Sequence, residues 1–181
     1  MRESVTPDGR RPLAFEGRAF VNFRDHTFAD PGAHAFRWAD VKTFRLPPAT
    51  PDAALLELLV AADEFRDDYA GGGIDPAGLR HGPYWLRHLT ADAYEPVTGT
   101  EAVRTLRRWA DQYGPLPATL EQALHQHVFA ALTAAASRCF ALRDLGRSAF
   151  HDWGGVHTEF HEYVAIDHDR PRLTLIVAAD D

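Results

Sequence analysis

Between Gly154 and Asp169 the chain reads GGVHTEFHEYVAIDHD, which puts His157, Glu159 and His161 at alternate positions. Imidazole and carboxylate are the side chains that most often move protons or bind divalent metals near neutral pH. Alternate spacing places residues on one face of a strand, with neighbours about 6.6 Å apart, so His157 and His161 stand about 13 Å apart along the backbone. Bonds of about 2.1 Å to one ion cannot span that gap. The strand therefore supplies at most a pair, and His161 with Glu159 is the candidate acid–base couple.

A metal needs donors from a second element. Glu121 and His125 lie four apart on a helical segment, on one flank of its apolar stripe. Joined to Glu159 and His161 they would form a mixed carboxylate–imidazole set suited to zinc, iron or manganese. The competing readings are a pocket without metal, and a solvated strand whose polar face carries no chemistry. Aromatic residues near the same strand, Tyr84 and Trp85 in HGPYWLRHL and Trp153 in AFHDWGGV, together with His157 and Tyr163, are the candidate ligand-binding residues.

Other features give weaker signals. Gly71–Gly73 lack a following GK[ST], have aspartates close by, and read as a helix stop. Arg104, Arg107 and Arg108 match a solvated helix face with local carboxylate partners. Cys139 falls in a helical pattern, where a buried inert thiol is expected, and a lone cysteine excludes an intramolecular disulfide. Ser137 and Ser148 sit in no nucleophile-elbow motif.

The elements that must position these groups follow from hydrophobic periodicity. A period-two pattern over Leu13–Phe23 puts Phe15, Ala19, Val21 and Phe23 on one face. After a turn at residues 29–33, a second, less regular strand with room for a bulge contains Phe36, Trp38, Val41 and Thr43. The period then becomes helical, with Leu55, Leu58, Leu59, Ala62, Phe65 and Tyr69 in one stripe capped by Thr50. Three more helices are expected: a short one over Tyr84–Ala91, one capped by Thr100 and stopped at Gly114, and a long one from Thr119 to Leu145.

Period two returns in Val156–Asp167 and Leu173–Ala179, joined by HDRP. A four-residue loop at His168–Pro171 sets Asp167 opposite Arg172, Tyr163 opposite Ile176, His161 opposite Ala178 and Val164 opposite Leu175. Phe160, Val164, Leu175 and Val177 are then the expected core. The fold class that follows is α+β: an antiparallel sheet built from an N-terminal and a C-terminal β-hairpin, with three to four intervening helices packed on one face.

The 181 residues suit a single globular domain over 1–181, with residues 1–12 loosely ordered. A net charge of −7 opposes nucleic acid and anionic membrane surfaces, and no apolar run approaches the ~20 residues of a membrane span. No apolar leader is evident, so a cytoplasmic location is expected. Lys42 is the only lysine among nineteen basic residues, a bias of GC-rich, bacterial-type coding. The expected function is a small acidic accessory or binding protein that recognises a protein partner or small polar ligand through the polar face of the C-terminal hairpin. The alternative is an enzyme using the His/Glu groups, with or without a divalent metal, on a small polar substrate.

Overall fold

The computed structural model describes residues 11–30, 32, 36–134 and 137–181. Most of the N-terminal segment expected to be loose, part of the 29–33 turn, and Ala135 of the long stripe lie outside these residues. The strands are β1 (Ala14–Asn22), β2 (Arg37–Arg45), β3 (Arg80–His81), β4 (Tyr84–Trp85), β5 (Tyr94–Val97), β6 (Ser137–Leu142), β7 (Glu159–Asp167) and β8 (Arg172–Asp180). The helices are α1 (Asp52–Ala61), α2 (Gly99–Ala110), α3 (Ala118–Leu124) and α4 (Ala130–Thr133), with a π turn, His125–Phe129, between the last two. Six strands form one antiparallel sheet in the order β1-β2-β8-β7-β6-β5, and β3 pairs with β4 in a small ribbon of its own.

The C-terminal hairpin has the register its alternation demands: Asp167 pairs with Arg172, Val164 with Leu175, Tyr163 with Ile176 and His161 with Ala178. Val164, Leu175 and Val177 are buried, and Phe160 packs against the same core at its edge. In β1 the irregularity falls between Phe15 and Gly17 rather than in the second strand. The extra residue turns Phe15 off the Ala19 and Val21 face and onto the ring of Phe44, 5.5 Å away.

Helices lie on both faces of the sheet. On the first face α2, α3, the π turn and α4 bury Leu106, Trp109, Leu120, Leu124, Val128 and Leu132 against Val41, Cys139, Tyr163 and Ile176. On the second, α1 brings Leu55, Leu56 and Leu59 to Phe44, Ile166, Leu173 and Leu175, and the irregular segment 62–94 covers the rest. The one-face arrangement is thus corrected for α1, whose run DAALLELLVA is apolar around most of its circumference and needs burial wherever it lies.

Several boundaries differ from the periodicity, among them the end of α1, which stops at Ala61 rather than running on to Tyr69. Residues Tyr84–Ala91 form β4 and a 3₁₀ turn rather than a helix. The expected long helix stops at Thr133, and Ser137–Leu142 becomes β6. Cys139 and Ala141 of that strand pack on the first face and Phe140 and Leu142 on the second, so it lacks the polar alternation that marks a half-exposed strand. Helix α2 is capped by Thr98 instead of Thr100: its hydroxyl accepts from Glu101 N–H while the Glu101 carboxylate accepts from Thr98 N–H, a reciprocal capping box. Thr50 likewise gives way to Pro51 at the start of α1, with no side-chain cap.

Arg37 at the start of β2 holds the other end of α2. Its guanidinium donates to the carbonyls of Trp109 and Ala110 at 2.8 and 2.7 Å and lies over Phe23 and Tyr113. A cation at a helix C-terminus satisfies carbonyls that have no helical partner. At the opposite end Gly99 passes against the Leu132 carbonyl so closely that a β-carbon would overlap it. Gly99→Val is expected to lower stability by about 1–3 kcal/mol through overpacking, read as a shift in urea midpoint at unchanged m-value.

Candidate functional site

Alternation along β2 carries Trp38, Asp40, Lys42 and Phe44 onto the second sheet face, so two charged residues point into a core. Lys42 is fully buried. Its ammonium donates to Asp67 Oδ2 and to the Tyr69 hydroxyl at 3.0 Å each, and lies 3.3 Å from Asp40 Oδ2. Arg18, from the same face of β1, donates to Asp40 and reaches Asp67 at 3.5 Å. Two cations and two carboxylates therefore close on one another beneath segment 62–94, which satisfies the pairing that buried charge requires.

A second polar link lies further along the sheet. Glu162 shares the Phe160 and Val164 face of β7 and is buried. His81 Nδ1 bonds the Phe65 carbonyl, which can only accept, so that nitrogen carries hydrogen. His81 Nε2 hydrogen-bonds Glu162 Oε2 at 2.5 Å. Glu162 Oε1 accepts from the Tyr94 hydroxyl. Burial first, and the adjacent Glu162 second, push the Tyr94 phenol well above its ordinary range, so it stays a donor. The imidazole also stacks on Phe65 at 3.6 Å.

These links fix an otherwise irregular loop as the wall of a cleft of about 810 Å³. Its floor is a stack of rings: Phe20 on Trp38 at 5.8 Å and Trp38 on Tyr69 at 5.2 Å, with the Lys42 ammonium 4.5 Å from the Tyr69 centroid. Tyr69 has φ +57°, a left-handed conformation unfavourable for a residue with a β-carbon. Asp67 Oδ1 holds it by accepting from Tyr69 N–H at 3.0 Å. Such held strain recurs at ligand sites. Phe20, Phe36, Trp153 and Val156 border the cleft and are 51, 56, 60 and 39% exposed. Arg18, Arg24 and Arg80 are interleaved with them.

Buried His151 positions Trp153. Its Nε2 donates to the Gly82 carbonyl at 2.7 Å and its Nδ1 accepts from Trp153 N–H at 3.0 Å, a neutral tautomer. Burial holds its pKa below the usual imidazole value. A groove of about 840 Å³ beside β5 differs in kind, because the one cation among its lining residues, Arg138, pairs with Asp52 at 3.0 Å.

The residues singled out from sequence fall in separate places. Trp153 lines the cleft. His157 lies behind it, donating Nε2 to the Asp68 carbonyl at 2.9 Å, facing Asp181 at 3.2 Å and packed on Trp38. It precedes β7 and sits with the Phe160 face, away from His161. Glu159 and His161 do meet, at 3.1 Å, on the first sheet face, where Trp109 of α2 covers the imidazole. Tyr163 is buried beside them, its phenol pushed up by burial and bonded to Thr105. Tyr84 bonds Asp144, and Trp85 is held between Arg80 and Arg87.

Glu121 pairs with Arg107 at 2.5 Å, and His125 is exposed. Among the described residues no group of three His, Cys, Asp or Glu side chains is placed to hold a metal ion, so Glu121, His125, Glu159 and His161 do not assemble as a metal set. Cys139 is buried in β6, its thiol pKa raised by burial. Arg18, Arg24, Arg80, Phe20, Trp38 and Tyr69 were not among the candidates. The available signal was a charged residue at an inward position: Asp40 and Lys42 alternate with Trp38 and Phe44, and Glu162 interrupts Phe160 and Val164.

No family model and no curated protein sequence matches the chain. Two crystal structures of citrus MAF1 give TM-scores of 0.41 and 0.38 at 8% and 11% identity, covering 87% of this chain in each case and 93% and 94% of theirs. Likeness at that level carries no functional argument. No helix among the described residues is long and apolar enough to cross a membrane.

Removing one of the buried residues Asp40, Lys42 or Asp67 leaves its partners unpaired in the core. Lys42→Met is expected to cost about 3–5 kcal/mol in chemical denaturation, and adding Asp67→Asn to it restores part of the loss. The imidazole of His151 has a depressed folded pKa, so the unfolded chain binds the extra proton first. Its contribution is intact above about pH 6.5 and is lost as pH falls through the folded value. Urea midpoints between pH 4 and 8 should therefore fall less steeply on the acid side for His151→Gln than for the parent.

Proposed function

We propose that this chain is a ligand-binding protein whose site is the cleft between β1, the Gly71–Gly73 loop and Trp153, and that its ligand is a small organic molecule. One observation carries the reading. Of the seven large hydrophobic residues exposed among those described, four border this single cleft, over a floor immobilised by buried ion pairs. Exposed apolar groups gathered in a concave, polar-studded hollow of this size are characteristic of small-molecule sites.

The polar face of the C-terminal hairpin supports binding less well, since α2 covers much of it and Tyr163 is buried. An enzyme built on His161 and Glu159 has their 3.1 Å contact in its favour, but no third metal-binding group joins them among the described residues.

A neutral naphthalene dye such as prodan tests the reading, because it reports entry into an apolar site by a blue shift in emission. The expected result is saturable one-to-one binding. Phe20→Ser and Trp153→Ser each weaken it about fivefold, the loss of roughly 1 kcal/mol of ring contact, without lowering the melting temperature. His161→Ala leaves it unchanged. Binding indifferent to both cleft variants would reject the site.

A further inference from the structure

We infer that the cleft selects a planar aromatic carboxylate, with the ring placed on Phe20 and the carboxylate taken by Arg24. This rests on the reading of the cleft as a small-molecule site and specifies its ligand.

The ring preference comes from the floor. Phe20 stacks on Trp38 and Trp38 on Tyr69, with interplanar angles of 25 and 26°, a column of two successive ring contacts. The Tyr69 end is closed by Lys42 and by the edge of His81, 5.9 Å away. The Phe20 end is half exposed and faces the cleft. Arg18 lies 5.9 Å from the Phe20 centroid. A flat π-system continues this column by offset stacking, which an aliphatic ring cannot reproduce.

The charge preference comes from which groups in the wall already have partners. Each carboxylate there is occupied. Asp67 receives Lys42 and Tyr69 N–H; Asp68 receives Ala70 N–H and lies 3.6 Å from Arg80; Asp181 receives Trp38 Nε1 and faces His157. Of the cations, Arg18 is paired with Asp40 and Asp67, whereas Arg24 has no carboxylate partner among the described residues. Arg24 is exposed and its guanidinium meets only the face of Phe36, at 5.2 Å. Arg80 has two long ion contacts, 3.6 Å to Asp68 and 3.8 Å to Asp152, and a ring contact with Trp85.

A chain of net charge −7 thus keeps an unpaired guanidinium at the rim of its aromatic cleft. The planar fork of arginine matches a carboxylate by two parallel hydrogen bonds, a geometry that a point cation lacks. Phe36 beneath the guanidinium restricts its motion and leaves its outer edge free to donate.

Isothermal titration of the full chain with indole, indole-3-carboxylate and cyclohexanecarboxylate separates these contributions. Indole-3-carboxylate is expected to bind at least about tenfold more tightly than either of the others, the scale of one charge-assisted hydrogen bond. Arg24→Gln should bring it down to the affinity of indole, leave indole itself unaffected, and leave the melting temperature unchanged. Equal affinity for indole and its carboxylate would overturn the charge assignment. Equal affinity for both carboxylates would overturn the ring assignment. Either result, with prodan still bound, leaves the cleft as a ligand site; failure of prodan and of all three titrants overturns both readings.

Discussion

The ammonium of Lys42 sits in a dry core, and the second face of the sheet is organised around that fact. An isolated cation there costs several kcal/mol in lost hydration. Asp40, two residues before it on β2, lies within 3.3 Å, but the shorter contact comes from Asp67, in a segment without regular secondary structure. Burial of the lysine and docking of that segment are therefore one event. Without Asp67 the charge is under-compensated; without Lys42 the segment loses its deepest attachment to the sheet.

Docking the segment creates the cleft. Segment 62–94 has three short 3₁₀ turns and the β3–β4 ribbon before it reaches the sheet, with backbone bonds that are local turns rather than a ladder to the sheet. Side chains set it instead. Asp67 bonds Lys42 and bends the chain at Tyr69, His81 spans from Phe65 to Glu162, and the Gly82 N–H bonds the Asp67 carbonyl at 2.9 Å. An irregular wall held this way can be rigid while presenting strained and exposed groups, the combination that binding loops on fixed scaffolds use.

Parts of this were legible from local pattern. The β7–β8 register followed from alternation, because a one-residue slip would have turned Val164 and Leu175 to the wrong face. The α+β class followed from the switch of period between the ends and the middle of the chain. Residues 119–145 were not legible: with Phe140 and Leu142 partly buried on one side and Cys139 buried on the other, the run Cys139–Leu142 of β6 is apolar on both faces and fits a helical stripe equally well. At the site, Trp153 was legible as an aromatic on a loop. His157, Glu159 and His161 shared a period but not a face, since His157 precedes the strand and follows the loop that holds it. The arginines had no local signature, being single cations on a strand, a turn and a ribbon.

The amino-acid sequence by itself determined the elements whose periodicity is enforced by one buried and one exposed face, the pairing of the C-terminal hairpin, and the presence of charge at the inward positions Asp40, Lys42 and Glu162. Only the tertiary structure decided what answers those charges. The partners Asp67 and His81 lie 25 and 81 residues from Lys42 and Glu162, on a segment with no regular period. Desolvation makes pairing obligatory but is indifferent to sequence distance, so the identity of each partner, and with it the position of the cleft, emerges only when the loop is folded onto the sheet.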